Sequence, residues 1–359
     1  MKVLGIESSC DETSVALVEG GRRVVANAVA SQIPIHARYG GVVPELASRN
    51  HVVDIIPTLE ECLSSVEGGL GAVEGIAVTA GPGLVGSLLV GLEVAKALAW
   101  SLGVPLVGVN HIEAHLMSPL LDYEGAEGLS GTPSFPFVGL IVSGGHTHLY
   151  EVRGVGRYAL IGGTRDDAAG EAFDKVAKML GMPYPGGVYI DQMALRGRAD
   201  AFVLPRPMLR KDNDEFSFSG IKTAVLTLLR GLEAPPALES EVLCDICASF
   251  QEAVVDVLVG KLFRAARARG IKDVVISGGV SANSRLRARA LEVGISSGVA
   301  VHIPPLWLCT DNAAMIAGLG SHYLSGMAGR GFEAFGLNAS SGFPMGVLGE
   351  FGEGGGAGA

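Results

Sequence analysis

The feature that most restricts this chain is an order of elements that it carries twice. Residues 2–30 read as strand, turn, strand, turn, strand: Lys2–Ser8 is apolar, Cys10-Asp11-Glu12 turns, Thr13–Val18 is a second strand, and Glu19-Gly20-Gly21 turns into Val24–Ala30. Apolar residues at helical spacing follow over His51–Val66. The order then recurs. Phe137–Val142 reads as a strand, Ser143-Gly144-Gly145 as a turn, Thr147–Val152 as a strand, Tyr158–Ile161 as a third, and Asp167–Leu180 as a helix. Two copies of strand–hairpin–strand–helix predict an internal duplication, with two similar lobes facing a cleft. The copies share pattern rather than residues.

Between the copies lie two strand–helix units, Gly75–Thr79 into Leu84–Leu102 and Val104–Val109 into a helix opening at Asn110. Near the end, Val242–Arg269 reads as a long helix and Asp273–Ile276 as a strand feeding a glycine turn and another helix. Alternating strands and helices predict an α/β architecture. At 359 residues, 48% of them hydrophobic, the chain is long enough for two lobes. No apolar run approaches the ~20 residues of a membrane helix, and the start lacks a signal-peptide layout. The expectation is a cytoplasmic protein with no membrane contact.

Five scattered cysteines do not form a disulfide framework, and the C-x-x-C of Cys244 and Cys247 falls on a helical pattern, where ordinary packing is expected. The net charge of −10 argues against autonomous tight binding of nucleic acid, so any RNA contact needs local patches or a partner.

The first chemical motif is Asn110-His111-Ile112-Glu113-Ala114-His115. His111 and His115 stand one helical turn apart on one face, as metal ligands would. The order is H-x-E-x-H, so Glu113 points away from that face and cannot be a zincin's general base. With Asn110 at the N-cap, Glu113 is expected to complete a capping box. A carboxylate is needed to complete the site. Asp311, in Cys309-Thr310-Asp311-Asn312, stands at a helix start and is the candidate, with N-capping as its bland alternative. Two histidines, one carboxylate and open positions suit iron(II) or zinc(II).

Three glycine turns follow strands: Gly81–Gly86, Ser143–Gly145 and Ser277–Gly279. The first spells G-x-G-x-x-G, but the acid of a dinucleotide fingerprint is missing, since Asn110 and His111 occupy its place. The other two stand at strand ends, as phosphate and adenosine contacts would. A third group, Asp167, Glu171 and Asp174, is spaced to share one helix face, where their repulsion invites a cation or hydroxyl ligand. Asp11 and Glu12 add acids at the mirror position of Ser143–Gly145.

Taken together, Glu7–Thr13, His36–Arg49, the His111/His115 helix, Val142–Thr147, Asp166–Lys175, Phe216–Thr223 and Cys309–Ala314 resemble the bacterial branch of the TsaD family, formerly described as O-sialoglycoprotein endopeptidases. The resemblance runs from residue 3 to about 340. It implies the duplicated two-lobed fold of actin, sugar kinases and chaperone ATPases, with a nucleotide cleft between the lobes. Lobe I is expected over 1–118 with about 308–345, lobe II over 119–307, and 346–359 as a disordered tail. The implied activity is transfer of threonylcarbamoyl from threonylcarbamoyl-AMP to the exocyclic amine of the adenosine beside the anticodon, in tRNAs reading codons that start with A.

Carried over by motif, the metal ligands are His111, His115 and Asp311, with iron(II) favoured and zinc(II) the alternative. Substrate contacts fall on Ile141, Val142, Ser143, Gly144, Gly145, Asp174, Gly187, Asp191 and Asn283, and Asp11 or Glu12 is expected to accept the amine proton. Ile141 stands where archaeal and eukaryotic relatives have tyrosine, which favours the bacterial branch. His148 and Val188 depart from the usual glutamine and proline without removing a ligand. The implied partners are tRNA, TsaB and TsaE, with TsaC supplying the intermediate and Mg²⁺/ATP entering through partners. A metalloprotease and an ATP-dependent kinase or ATPase of the same fold are the competing readings. Glu113 counts against the first, and the histidine pair against the second.

Overall fold

The computed structural model describes residues 1–122, 132–210, 212–232, 234–326 and 333–346. The tail from 347 onward, and with it the expectation of disorder there, lies outside the described residues. Among the described residues, ten strands form two sheets. The first contains β1 (Lys2–Glu7), β2 (Glu12–Glu19), β3 (Arg23–Ser31), β4 (Gly75–Gly81) and β5 (Leu106–Asn110), in the order β3-β2-β1-β4-β5. The second contains β6 (Phe137–Val142), β7 (Thr147–Gly154), β8 (Arg157–Gly163), β9 (Asp273–Ser277) and β10 (Ala300–His302), in the order β8-β7-β6-β9-β10.

The two orders are identical once β6 is set on β1. In each sheet the first strand pairs antiparallel with the second and parallel with the fourth. The duplication expected from the repeated pattern is therefore present at the level of topology and register.

Among helices of seven or more described residues, α1 (Pro44–Ser64) and α2 (Val85–Leu102) cover the outer face of the first sheet. Next come α3 (His111–Met117), α4 (Ala169–Met179), α5 (Gly186–Ala194) and α6 (Ser219–Arg230). The last three are α7 (Glu241–Arg269), α8 (Ser284–Ser297) and α9 (Ala313–Gly326). Helix α2 is apolar and long enough to approach a membrane span, contrary to the sequence expectation. Its Leu92, Ala95 and Ala99 are buried in the core beneath the first sheet. Cys244 and Cys247 are likewise buried in α7.

Strand alternation assigns side chains to layers. In β1, Leu4 and Ile6 enter the outer core, whereas Val3 enters a core shared by the two lobes. In β6, Val138, Leu140 and Val142 face the second lobe's helices, whereas Phe137 and Ile141 face the shared core. Helices α3 and α9 fill that shared layer. Their approach is close: a Cβ on Gly5 would lie 2.3 Å from Ala313 O, and one on Gly139 2.4 Å from the Leu116 side chain.

Two boundaries differ from the sequence expectation. Helix α1 begins at Pro44, the favoured first helical position for proline, so His51 sits two turns inside rather than at its start. Helix α4 begins at Ala169, which leaves Asp167 in the preceding turn.

Candidate functional site

Strand β5 runs directly into α3, and the hinge residue is Asn110. Its side-chain oxygen accepts from the backbone N–H groups of Ile112 and Glu113, which starts the helix and sets His111 in its first turn. The capping box is only half made. Glu113 does not return to Asn110; its carboxylate accepts from the hydroxyls of Tyr158 and Tyr323 and from the Gly346 N–H. Glu113 thus stands on the far side of α3 from the histidines, with burial pushing its carboxyl up to about 7.

At the start of α9 the work is divided between neighbours. Asn312 Oδ1 accepts from Met315 N, 3.0 Å away, which is a cap's task. Asp311 is thereby left for the histidines. Its Oδ1 lies 3.2 Å from His115 Nε2 and 3.4 Å from His111 Nε2. One ligand atom from each of the three residues falls within 4.8 Å of the other two. Ligands about 2.1 Å from a common ion would be spaced by roughly 3.0–3.4 Å, so the trio has the span of a metal site.

Burial alone would discharge His111, but Asp311 and Glu7 together hold its imidazole well above the usual histidine range. His115 is pushed down by burial, with repulsion from His111 adding to this. Asp311 would be raised by burial, but His111 and His115 hold it far below the usual carboxylate range. Without a metal, a proton on His111 lies between the buried carboxylate of Glu7 and the half-buried one of Asp311.

Glu7 is the residue that sequence reasoning missed. It ends β1, is fully buried, and places Oε2 3.1 Å from His111 Nδ1. Thr79 Oγ1 donates to Oε2 at 2.6 Å and Ser9 N to Oε1 at 2.5 Å. The available signal was an acid on the inward-facing register of an otherwise apolar strand, in step with Val3 and Gly5.

The turn after β1 carries Asp11 and Glu12. It is pinned from behind by buried groups. His51 of α1 lies 3.0 Å from the Cys10 carbonyl and 2.7 Å from Thr13 Oγ1, and Gln32 N donates to the Asp11 carbonyl. Burial, reinforced by Asp11, pushes the Glu12 carboxyl up to about 9. Glu12 thus forms a close acid pair with Asp11, whose charge and hydrogen bond both favour a proton on Glu12.

The mirror turn, Ser143–His146 in the second lobe, carries three of the expected substrate residues, Ser143, Gly144 and Gly145, directly after Ile141 and Val142 at the end of β6. It follows β6, directly beside the turn after β9, because those strands are parallel neighbours. Sites in α/β sheets form at such carboxyl ends. The turns touch so closely that a Cβ on Gly278, whose φ is +95°, would lie 2.6 Å from Val142 O. Gly144, Gly145 and Gly279 face open space. Ile141 and Val142 are buried, so their side chains belong to the cores. His146 is driven down to about 4, by burial first and then by His148, His111 and His115, and its ring lies against that of His148, with centroids 5.6 Å apart.

Asp174 and Gly187 meet where α4 packs on α5, with Asp174 Oδ1 accepting from Gly186 N at 2.8 Å. Burial raises the Asp174 carboxyl, and the charge of Asp11 adds to this. Burial also raises the Tyr184 phenol, on which Asp11 and Asp174 both act. Asp11 thus acts electrostatically on groups of the second lobe.

Asp191 and Asn283 are more committed than expected. Asp191 accepts from Ser284 N and Oγ at 3.1 and 2.7 Å. Asn283 caps α8 through Leu286 N and donates to Gln251 at 2.7 Å.

The shared carboxylate face expected for Asp167, Glu171 and Asp174 is not formed, since Asp167 precedes the helix. The chain supplies its own cations: Lys175 bridges Asp167 and Glu171, and Lys222 also pairs with Asp167. Neighbouring Asp166 accepts from both Ser217 and Ser219 hydroxyls at 2.6 Å.

The family model for TsaD, tRNA N6-adenosine threonylcarbamoyltransferase, matches residues 23–318. The enzyme of that name from Geotalea daltonii is 53% identical over 333 residues, 93% of this chain and 95% of that protein. The one from Geobacter sulfurreducens is 51% identical over 354 residues, 99% of this chain and 100% of that protein. Among solved structures, T. kodakarensis HypF aligns with a TM-score of 0.57 at 15% identity, over 90% of this chain and 48% of that chain. Component A of the Acidaminococcus fermentans (R)-2-hydroxyglutaryl-CoA dehydratase aligns with a TM-score of 0.52 at 15% identity, over 90% of this chain and 99% of that chain. At such identities these structures bear on the fold alone, and they agree with the duplicated two-lobed architecture.

Proposed function

This chain belongs to the TsaD family of tRNA N6-adenosine threonylcarbamoyltransferases, and from that premise we propose how its cleft carries out the acyl transfer. The activity is transfer of a threonylcarbamoyl group to the N6 amine of an adenosine in tRNA. The donor in our reading is threonylcarbamoyl-AMP, and the acceptor is the adenosine beside the anticodon. The amine nitrogen forms a bond to the carbamoyl carbon, the bond from that carbon to the phosphate oxygen breaks, and AMP leaves with the electron pair.

The observation that carries the reading is the convergence of His111, His115 and Asp311 on one point. The donor set suits one divalent ion, iron(II) before zinc(II), which when bound supplies Lewis acidity to an acyl or phosphate oxygen. The protein's own groups do the rest. Ser143 N closes the turn on His146 O at 2.8 Å, so the N–H groups of Gly144 and Gly145 hold the phosphate, with Ile141, Val142 and Ser143 shaping that turn, and Asp174, Gly187, Asp191 and Asn283 line the nucleoside. Since Asp191 and Asn283 already have partners, they serve more as walls than as free acceptors. Asp11 takes the amine proton, and protonated Glu12 beside it donates a hydrogen bond. Lobe I comprises 1–118 with about 308–345 in this reading, and lobe II 119–307.

The net charge of −10 favours help from partners in binding a polyanion. The partners in this reading are TsaB and TsaE, with TsaC making the donor from Mg²⁺/ATP chemistry, all in the cytoplasm. The test is single-turnover transfer from preformed threonylcarbamoyl-AMP to tRNA, with and without TsaB and TsaE. We expect transfer to depend on them and to vanish in His115→Ala, which should fold but hold no metal. Equal rates with and without partners would remove the partner requirement. Full activity of metal-free His115→Ala would remove the metal. Peptide hydrolysis by the metal-loaded chain without tRNA would support the protease reading instead.

A further inference from the structure

The two histidines of the trio are held differently. His115 Nδ1 is buried and has no hydrogen-bond partner among the described residues. His111 Nδ1 faces Glu7 Oε2 at 3.1 Å, with Ser9 Oγ at 3.3 Å. On its Nδ1 side the first ring meets packing alone, whereas the second meets a buried carboxylate.

We propose that Glu7 is the positioning residue of the metal site. It accepts the Nδ1 proton of His111, fixes that tautomer, and leaves the Nε2 lone pair directed at Asp311. Glu7 is not itself a ligand, because it lies on the Nδ1 side of the ring while the convergence point lies on the Nε2 side. Its own orientation is set from three elements: β1, which it ends; β4, through Thr79 Oγ1; and the following turn, through Ser9 N. All of its bonds are donations to a carboxylate, so the three donors specify the charged form.

Charge matching gives the same answer. Buried Glu7 and half-buried Asp311 bring two negative charges, and two neutral imidazoles bring none, so the pocket suits a dication. In the empty pocket a proton on His111 offsets only one of these charges, whereas a dication offsets both. A carboxylate behind a ligating imidazole also makes it a better donor, an effect typically worth 10–100-fold in metal affinity.

The inference rests on the metal reading above, and the experiment separates the two. Zn²⁺ affinity is measured on the full chain by competition with a chromophoric chelator, and the Co²⁺-substituted protein is examined by its visible absorption. Glu7→Gln is expected to weaken Zn²⁺ binding by about 10–100-fold and to shift the Co²⁺ bands. Melting of the metal-free proteins is followed separately, since a purely structural role would change melting and leave affinity and bands alone. Wild-type affinity and bands in Glu7→Gln overturn the inference, whatever its melting point. Should Glu7→Gln not fold, Thr79→Val replaces it; this variant keeps the carboxylate but frees it to rotate. Weaker Zn²⁺ binding by Thr79→Val is expected, and unchanged binding overturns the inference. Zn²⁺ binding at wild-type strength in His115→Ala overturns the metal reading, and the inference with it.

Discussion

Asp311 and Asn312 show how one residue of difference separates a ligand from a cap. An acid at a helix start is ordinarily read as capping, and the sequence allowed both readings for Asp311. Because Asn312 takes the cap, the two tasks can be separated by mutation. Asn312→Ala should cost about 1 kcal/mol of stability and keep the metal. Asp311→Asn should stay folded and lose the metal. Stability by urea titration and metal content by atomic emission check both, and metal retained in Asp311→Asn would contradict the assignment.

Glu12 offers a test by pH. Burial first, then Asp11, raise its carboxyl from the ordinary 4.5 to about 9. The folded state therefore binds this proton more tightly than the unfolded state. The contribution is favourable at low pH and declines as pH rises from about 4.5 to about 9, where ionisation catches up. Glu12→Gln removes that decline. In metal-free protein its stability relative to wild type should climb through this window and level off above it, whereas parallel stability curves would show that Glu12 bears no such burden. The histidine pair and Asp311 were legible because ligand chemistry has a spacing. Glu7 was not, since its significance lies in three donors brought together only by folding.

At the level of elements, α1 reaches the cleft through His51. This ring is fully buried, and its two nitrogens meet Cys10 O and Thr13 Oγ1 on either flank of the acid turn. Removing it would leave buried polar groups unpaired, at about 1–3 kcal/mol. His51→Leu should therefore lower stability by that order and slow transfer more than it weakens metal binding, because it disturbs Asp11 and not the trio. Loss of metal in step with activity would contradict this route. The repeated strand order was readable from hydrophobic alternation and turn residues, which are local signals. The starts of α1 and α4 were less so. Pro44 marks the first more strongly than the apolar period does, and Asp167 is drawn off the second by Lys175 and Lys222.

Over the whole molecule, the shared core is the layer that the sequence did not disclose. Pattern alone predicts two lobes, but it does not show that α3 and α9 lie between the sheets, or that Gly5 and Gly139 admit them. The buried bonds of Glu113 to Tyr158 and Tyr323 also join α3 to β8 and α9. Such a layer makes the two lobes one cooperative body at the level of the metal helix, so hydrogen exchange of α3 should be as slow as that of β1 and β6. Rapid exchange confined to α3 would show that it opens by itself.

The distance along the chain between the trio's members has a consequence for biosynthesis. Asp311 follows His115 by 196 residues, and Glu7 precedes His111 by 104. A nascent chain on the ribosome displays Glu7 and both histidines long before Asp311 clears the exit tunnel. Until then the pocket has two imidazoles and no third ligand, the sort of open site at which stray copper or nickel competes well. Selective loading therefore waits for translation to pass Asp311 and for α9 to dock. A chain ended at Pro305 should bind zinc far more weakly than the full chain, and equal affinity would show that the metal can be taken up during synthesis.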